Sequence, residues 1–207
     1  MQRRKALEFR VYNAGSEIPR GWLMARIAPL GAEVPVIETE RLRLRGHRPD
    51  DFADSVAMWA DPVVTRYIGG KPLSEEDVWA RVLRYLGHWA WLGFGYWVVE
   101  EKATGKFAGE MGFSDWKREI EPSLKGVPEI GWVLATRVHG KGYATEAVRA
   151  AMAWGDAHIV SAQPNLGNTV CIIHPEHSRS IRVAERCGFK EVLRTTYKEE
   201  PTILFAR

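Results

Sequence analysis

The chain has 207 residues, 45% hydrophobic and 27% charged, the proportions of an ordinary globular protein built on one core. Its 29 basic and 26 acidic residues leave a formal charge of +3, too near balance for the basic face of a nucleic-acid binder. No apolar run reaches the length of a membrane span, and Glu8, Arg10, Glu17, Arg20 and Arg26 break up any signal-peptide core.

Residues 1–35 are expected to form an extension with little regular structure, because Gly15, Pro19, Gly21, Pro29, Gly31 and Pro35 interrupt every periodicity. Its basic opening, MQRRKALEFR, reads as a solvated tail. Trp22, Leu23 and Ile27 are candidates to dock on the domain, and Met24 is a candidate alternative start. Residues 36–207 read as a single domain. In ETERLRLR, Leu42 and Leu44 alternate with Arg41, Arg43 and Arg45, which predicts a strand with one buried face. Pro49 suits a helix first turn, Asp50 and Asp51 suit its dipole, and the apolar stripe of Phe52, Val56 and Trp59 stops near Asp61-Pro62. Ser74 and Asp77 have capping-box spacing ahead of Val78, Val82, Leu86 and Trp89, and Gly93 and Gly95 close that helix.

Strands are then expected over 96–101 and 107–113, joined by a short turn at Ala103-Thr104-Gly105. A polar loop over 114–128 follows, with Trp116 at its base. A central strand over 129–136 leads into a helix from Lys141 to about His158, polar along Glu146, Arg149 and Asp156 and apolar along Ala144, Val148, Ala151 and Met152. The chain closes with a strand over 169–174, a helix over 178–187 stopped by Gly188, and a hairpin over 190–196 and 202–206. Strand, paired helices, a run of strands, helix, strand, helix and hairpin make a mixed α+β order. Cys171 and Cys187 sit among apolar neighbours with no zinc or redox spacing, so both read as core thiols in a reducing, cytoplasmic setting, and no metal is expected.

The segment His139-Gly140-Lys141-Gly142-Tyr143-Ala144, between the central strand and its helix, carries the chemistry. Glycines let the main chain approach a ligand, and the helix's first amides lack partners and sit at the positive end of its dipole. Such an end suits a phosphate. A dinucleotide fingerprint is disfavoured, since Thr145 stands where the third glycine or alanine belongs, and no P-loop motif occurs. Taken alone, the turn is equally compatible with simple chain reversal.

It has companions. ETERLRLR, GFGYWVVEEKATGKFAGEMGF, EIGWVLATRVHGKGYATEAVRAAM and HPEHSRSIRVAERCGF follow one another in an order that resembles the GNAT superfamily of acyl-CoA-dependent N-acetyltransferases. The likeness is greatest to the RimJ/RimL-type branch that acetylates ribosomal-protein N-termini. It implies a mixed, largely antiparallel central sheet with a splayed parallel strand pair and flanking helices. It also implies acetyl-CoA as acyl donor, with pyrophosphate on the turn His139, Gly140, Lys141, Gly142, Tyr143, Ala144 and Thr145, and pantetheine along the main chain of Val133, Leu134 and Ala135. His139 stands where relatives have Arg or Gln, and His177 where they have Asn on the pantetheine arm or capping the helix.

An alkyl amine with a pKa near ~10.4 must lose a proton before it attacks a thioester. By resemblance Glu129 is the candidate base; the alternative is a solvated strand-end glutamate. The tyrosine that many relatives place on the last helix is Ala184 here, and Ser180 matches the serine proposed to assist the leaving thiolate, with helix capping or a water as alternatives. Trp59, Trp79, Trp89, Trp91, Phe94 and Trp116 fall in segments that wall the amine site in relatives, although aromatics at helical spacing serve a core as readily. The expected partners are acetyl-CoA and an amine, such as a protein N-terminus, a polyamine, an amino acid or an aminoglycoside, with the protein a monomer or homodimer. The competing reading is a non-catalytic acyl-CoA-binding module.

Overall fold

The computed structural model describes residues 34–160 and 169–207, and the expectations for Trp22, Leu23, Met24 and Ile27 lie outside the described residues. The first strands, β1 (Ile37–Glu38) and β2 (Leu42–Arg45), pair antiparallel. Leu42 and Leu44 are fully buried, as their alternation predicts. Arg45 departs from it. It is only 5% exposed, because the sheet is covered on both faces, and its guanidinium bonds Asp51 at 2.7 and 2.8 Å and Glu100 at 2.6 Å.

Asp51 stands in the first turn with Asp50, as expected, accepting the Arg48 N–H at 2.7 Å, and it also belongs to this buried ion-pair network. It ends a 3₁₀ turn (Pro49–Asp51) that leads into α1 (Phe52–Trp59). Helix α1 ends at Trp59, as Asp61-Pro62 predicts, but another helix begins there. Asp61 accepts from the Val63 N–H at 2.8 Å and Pro62 supplies the first turn of a short α2 (Pro62–Thr65), which the sequence reading did not anticipate. Helix α3 (Glu75–Leu92) has the expected reciprocal cap, with the Asp77 N–H on Ser74 Oγ at 3.1 Å and the Ser74 N–H on Asp77 Oδ2 at 3.2 Å. Gly93, at φ +74°, ends it.

The hairpin β3 (Tyr96–Glu101) and β4 (Lys106–Ser114) adds β5 (Glu129–Leu134) antiparallel. After β5 come a 3₁₀ turn (Thr136–Val138) and α4 (Tyr143–Gly155), which relaxes into a π-helical turn over Asp156–Val160 where one continuous helix was expected. β6 (Val170–Ile173), α5 (Ser178–Arg186), β7 (Lys190–Tyr197) and β8 (Glu200–Ala206) complete an eight-stranded sheet in the order β1-β2-β3-β4-β5-β6-β8-β7. All neighbours are antiparallel except β5 and β6.

Alternation along the strands divides the core. Trp97, Met111, Phe113 and Ile130 face α4 and α5, meeting Ala147, Val148, Ala151 and Ala184. Val98 and Phe107 point the other way, against Met58, Trp59, Val78 and Val82 of α1 and α3. Each fully buried aliphatic side chain contributes about 1.5–3 kcal/mol. Cys171 and Cys187 are free, buried thiols, and burial raises the pKa of both. The fold is therefore mixed α+β, a largely antiparallel sheet with one parallel pair flanked by helices, as expected.

Candidate active site

The glycine turn enters α4 without a side-chain cap. Gly142 is the N-cap residue at φ +81°, and Gly140 lies at φ +80°. Only glycine adopts this left-handed backbone freely. A Cβ on Gly140 would meet nothing within 4 Å, and one on Gly142 only Arg41 Nη2 at 3.5 Å, so the space before the turn is open. Because Gly142 offers no side-chain acceptor, the amides of Tyr143, Ala144 and Thr145 remain for an anion.

Side chains of the turn are directed elsewhere. Tyr143 donates to Glu101 Oε1 at 2.6 Å, and Lys141 Nζ lies 3.5 Å from the same oxygen. Hydrogen bonds from Tyr143 and then Thr104 pull the Glu101 carboxyl down to about 2. From outside, Arg41 donates to the Lys141 carbonyl at 2.9 Å and pairs with Glu146 at 2.6 Å, while Thr39 donates to Glu146 at 2.7 Å. The β1–β2 hairpin thus holds the entry of α4 in place. Beside it runs a groove of about 520 Å³, lined by Arg41, Gly142, Thr145, Arg149 and Arg186 among others. Arg41 read as a solvent-facing strand residue, so its part in the site was missed.

A gap adjoins the turn. β5 and β6 share the pair Glu129 and Val170, and beyond it their pairing stops. Along the expected pantetheine edge, the Ala135 N–H is engaged by the Ala108 carbonyl at 3.0 Å, and the Leu134 carbonyl lies 2.9 Å from His139 Nε2. His139 therefore folds back onto the strand end. His177 occupies the N-cap position of α5 but makes no side-chain cap; its ring stacks on Tyr67 at 4.8 Å. Burial, then the charges of His139, Arg179 and His174, lower its pKa to about 4. Tyr67 lies in an aperiodic loop, and nothing in the sequence singled it out. Ser180 sits in the first turn of α5, its hydroxyl without a hydrogen bond among the described residues, so it is not a cap. Ala184 is fully buried in the core.

On the opposite face, Glu129 is 6% exposed, not a solvated strand end. Arg118, from the 114–128 loop, donates to both of its oxygens at 2.6 and 2.7 Å. Burial alone would lower the Arg118 pKa, but this pairing raises it above its ordinary value. The candidate base is thus locked in a bidentate ion pair. Glu110 was missed altogether. It is fully buried, accepting from Ser55 Oγ at 2.6 Å and Trp59 Nε1 at 2.9 Å, with His47 Nε2 at 3.6 Å. Burial pushes its pKa up, and the nearby His47 ring together with the Ser55 and Trp59 hydrogen bonds outweighs that and leaves it below the usual range. The available signal was a lone glutamate inside the apolar run FAGEMGF. Gly131 leaves room for Tyr96, whose hydroxyl would lie 2.2 Å from any Cβ there.

The aromatic set divides. Trp89 and Phe94 are core, Trp79 and Trp91 are exposed, and two stand at this wall: buried Trp59, through its bond to Glu110, and half-buried Trp116, edge-on to Tyr85 and Tyr96.

A family model described as "Acetyltransferase (GNAT) domain" matches residues 41–190. The chain is 34% identical over 154 residues to the uncharacterized protein YkkB of Bacillus subtilis (strain 168), covering 72% of this chain and 82% of that one. It superposes with TM-score 0.72 and 27% identity on a putative GnaT-family acetyltransferase from Bordetella pertussis, covering 84% of this chain and 99% of that one. The alpha-N-protein acetyltransferase RimL, solved with coenzyme A, shares the fold at TM-score 0.63 and 16% identity, over 84% of this chain and 97% of that one. This chain belongs to the GNAT acetyltransferase family.

Proposed function

We propose that the protein is an acetyl-CoA-dependent N-acetyltransferase that transfers an acetyl group directly to a primary amine in a ternary complex, and that it is of the RimJ/RimL type. The observation that carries this reading is the uncapped N-terminus of α4, with its Gly142 cap, at the mouth of the gap between β5 and β6. Bound acetyl-CoA supplies the acyl group as an activated thioester. In this reading the amides of Tyr143, Ala144 and Thr145 hold the pyrophosphate, with Gly140 and Lys141 shaping the turn. The edge formed by Val133, Leu134 and Ala135 lines the pantetheine arm once the His139 ring leaves the Leu134 carbonyl, and His177 on Tyr67 flanks it.

Glu129, directly or through a water, takes the proton from the attacking amine after Arg118 gives way. Ser180 offers a hydrogen bond to the departing sulfur. The nitrogen–carbon bond forms as the carbon–sulfur bond breaks; the amine loses a proton and the thiolate gains one. Residues 36–207 carry this activity as one domain in the cytoplasm, as a monomer or homodimer.

The test is thiol release from acetyl-CoA with purified protein and an amine panel, with mass spectrometry of the amine. Glu129→Ala and Ser180→Ala should lose turnover yet still bind acetyl-CoA. The second reading, a non-catalytic acyl-CoA-binding module, is favoured by the Arg118 lock on both Glu129 oxygens. Tight acetyl-CoA binding with no thiol release across the panel would establish it and sink the first.

A further inference from the structure

Among the described residues, the buried side-chain polar atoms that lack a hydrogen-bond partner are His47 Nε2, Arg81 Nε and Tyr85 Oη. They are neighbours. The His47 and Tyr85 rings are 5.3 Å apart, Tyr85 stacks on Tyr96 at 4.3 Å, and Arg81 is one helical turn before Tyr85 on α3. Native proteins leave few such groups, and orphans gathered in one place need a physical explanation. Here they line the wall that faces Glu110 and the Arg118–Glu129 pair.

Among the described residues, two cations on this wall stand without a carboxylate in ion-pair range. Arg81 lies over the Trp59 ring at 4.0 Å, and Arg84 lies 5.3 Å from the centre of the Trp116 ring. Neither guanidinium has an ion-pair partner among the described residues, and Arg81 has the Tyr85 hydroxyl beside it. Each nearby carboxylate is engaged: Glu129 by Arg118, Glu110 by Ser55 and Trp59, Asp115 by Lys117 and the Gly126 N–H, and Asp77 by its capping box with Ser74. Burial, and then the like charges of Arg81 and Arg118, depress the Arg84 pKa.

We infer that the amine acceptor carries an oxyanion, a carboxylate or phosphate near its amino group, and that Arg81 and Arg84 grip it beside the Trp116 ring. This rests on the proposed acetyl transfer and names the substrate class of that same site. Planar guanidinium groups with free N–H donors match an oxyanion in pairs of hydrogen bonds, and resting on aromatic rings holds them in place. The orphaned Tyr85 hydroxyl adds a further donor.

The experiment compares matched acceptors that differ only in the anion. Leucine is set against leucinamide, and O-phosphoethanolamine against ethanolamine, with spermidine as a cationic control. Calorimetric titration into the protein saturated with coenzyme A reads binding, and thiol release from acetyl-CoA reads turnover. The anionic member of at least one pair should bind about tenfold or more tightly than its neutral partner. Arg84→Gln and Arg81→Gln should each erase most of that ratio, and Arg84→Lys should restore part of it, with acetyl-CoA affinity unchanged. Whichever pair shows the preference separates carboxylate from phosphate. Equal or better binding of neutral or cationic amines, no binding by any anionic member, or a ratio untouched by Arg84→Gln would overturn the inference. Anion-selective binding without thiol release from any acceptor would uphold it and refute the transferase reading instead.

Discussion

Replacing Gly142 with alanine separates what the turn does for the fold from what it does for a ligand. At φ +81° an L-residue is strained by about 1–2 kcal/mol. The added methyl meets only Arg41 Nη2 at 3.5 Å, an ordinary contact, so packing adds no further cost. In a domain of this size 1 kcal/mol corresponds to about 2–4 °C, so the free protein should melt about 2–8 °C lower. The effect on acetyl-CoA should be larger. The methyl enters the groove that Gly142 lines, and a displaced hydrogen bond to a charged phosphate costs about 1.5–3 kcal/mol, a loss of affinity of about 10- to 150-fold. Calorimetric melting of the free protein and titration with acetyl-CoA measure the two effects separately. Gly140→Ala, at φ +80° with nothing within 4 Å, should behave alike. Affinity within about twofold of wild type alongside the full drop in melting temperature would refute the reasoning and leave the turn a chain reversal.

Glu129→Gln leaves the half-buried Arg118 guanidinium without its carboxylate, and should cost about 1.5–3 kcal/mol in urea unfolding. Adding Arg118→Met should recover most of it, and a double variant no more stable than the single one would show that the pair is not the source. Arg45→Met strands Asp51 and Glu100, with a cost of about 3–5 kcal/mol at pH 7. In the wild type, burial raises the Asp51 pKa, but the bonds led by Arg45 outweigh it and leave it lowered, so that group's stabilisation is present above its unfolded pKa and lost on acidification. Without Arg45 burial wins, the slope reverses, and the variant should gain relative to wild type between pH 7 and pH 5; urea midpoints at both pH values decide. His177, lowered to about 4 against about 6.5 unfolded, contributes stability that is full above pH 6.5 and lost as pH falls toward 4. Its imidazole resonances should titrate near 4, and a midpoint near 6.5 would contradict the half-buried, Tyr67-stacked placement.

What could be read from sequence was local. Ser74 and Asp77 three residues apart, Gly93 at the end of α3 and Gly188 at φ +89° after α5 are set by a few neighbouring residues, and each behaves as its chemistry dictates. The glycine turn is legible for the same reason, since Gly140 and Gly142 supply its left-handed backbone, although the hold of Arg41 and Thr39 on it is not. The resemblance of the ordered blocks supplied the splayed pair, which periodicity alone does not encode. What escaped was tertiary. Arg45 reads as solvent-facing until the 3₁₀ turn before α1 brings Asp51 over it, and Arg118 reads as one charge in a mixed loop until that loop carries it to Glu129. Glu110 sits within a strand whose pattern gives no hint of the Ser55 and Trp59 donors that α1 provides. The short α2 was lost because Asp-Pro both ends and begins helices.

The single residue pair joining β5 to β6 has a mechanical consequence. Hydrogen bonds tie β1 through β5 into one ribbon and β6, β8 and β7 into another, with Glu129 and Val170 as the seam. Beneath the seam the core is continuous, for Ile130, Cys171, Ile173 and Phe205 belong to one cluster with Ala147, Ala151 and Ala184. The angle between the ribbons is therefore fixed by side-chain volume and not by backbone pairing. Methyl groups deep in the core act as spacers for a cleft they never touch. Trimming Ile173 should narrow that angle as it loosens the protein, making the width of the cleft a property tunable from behind.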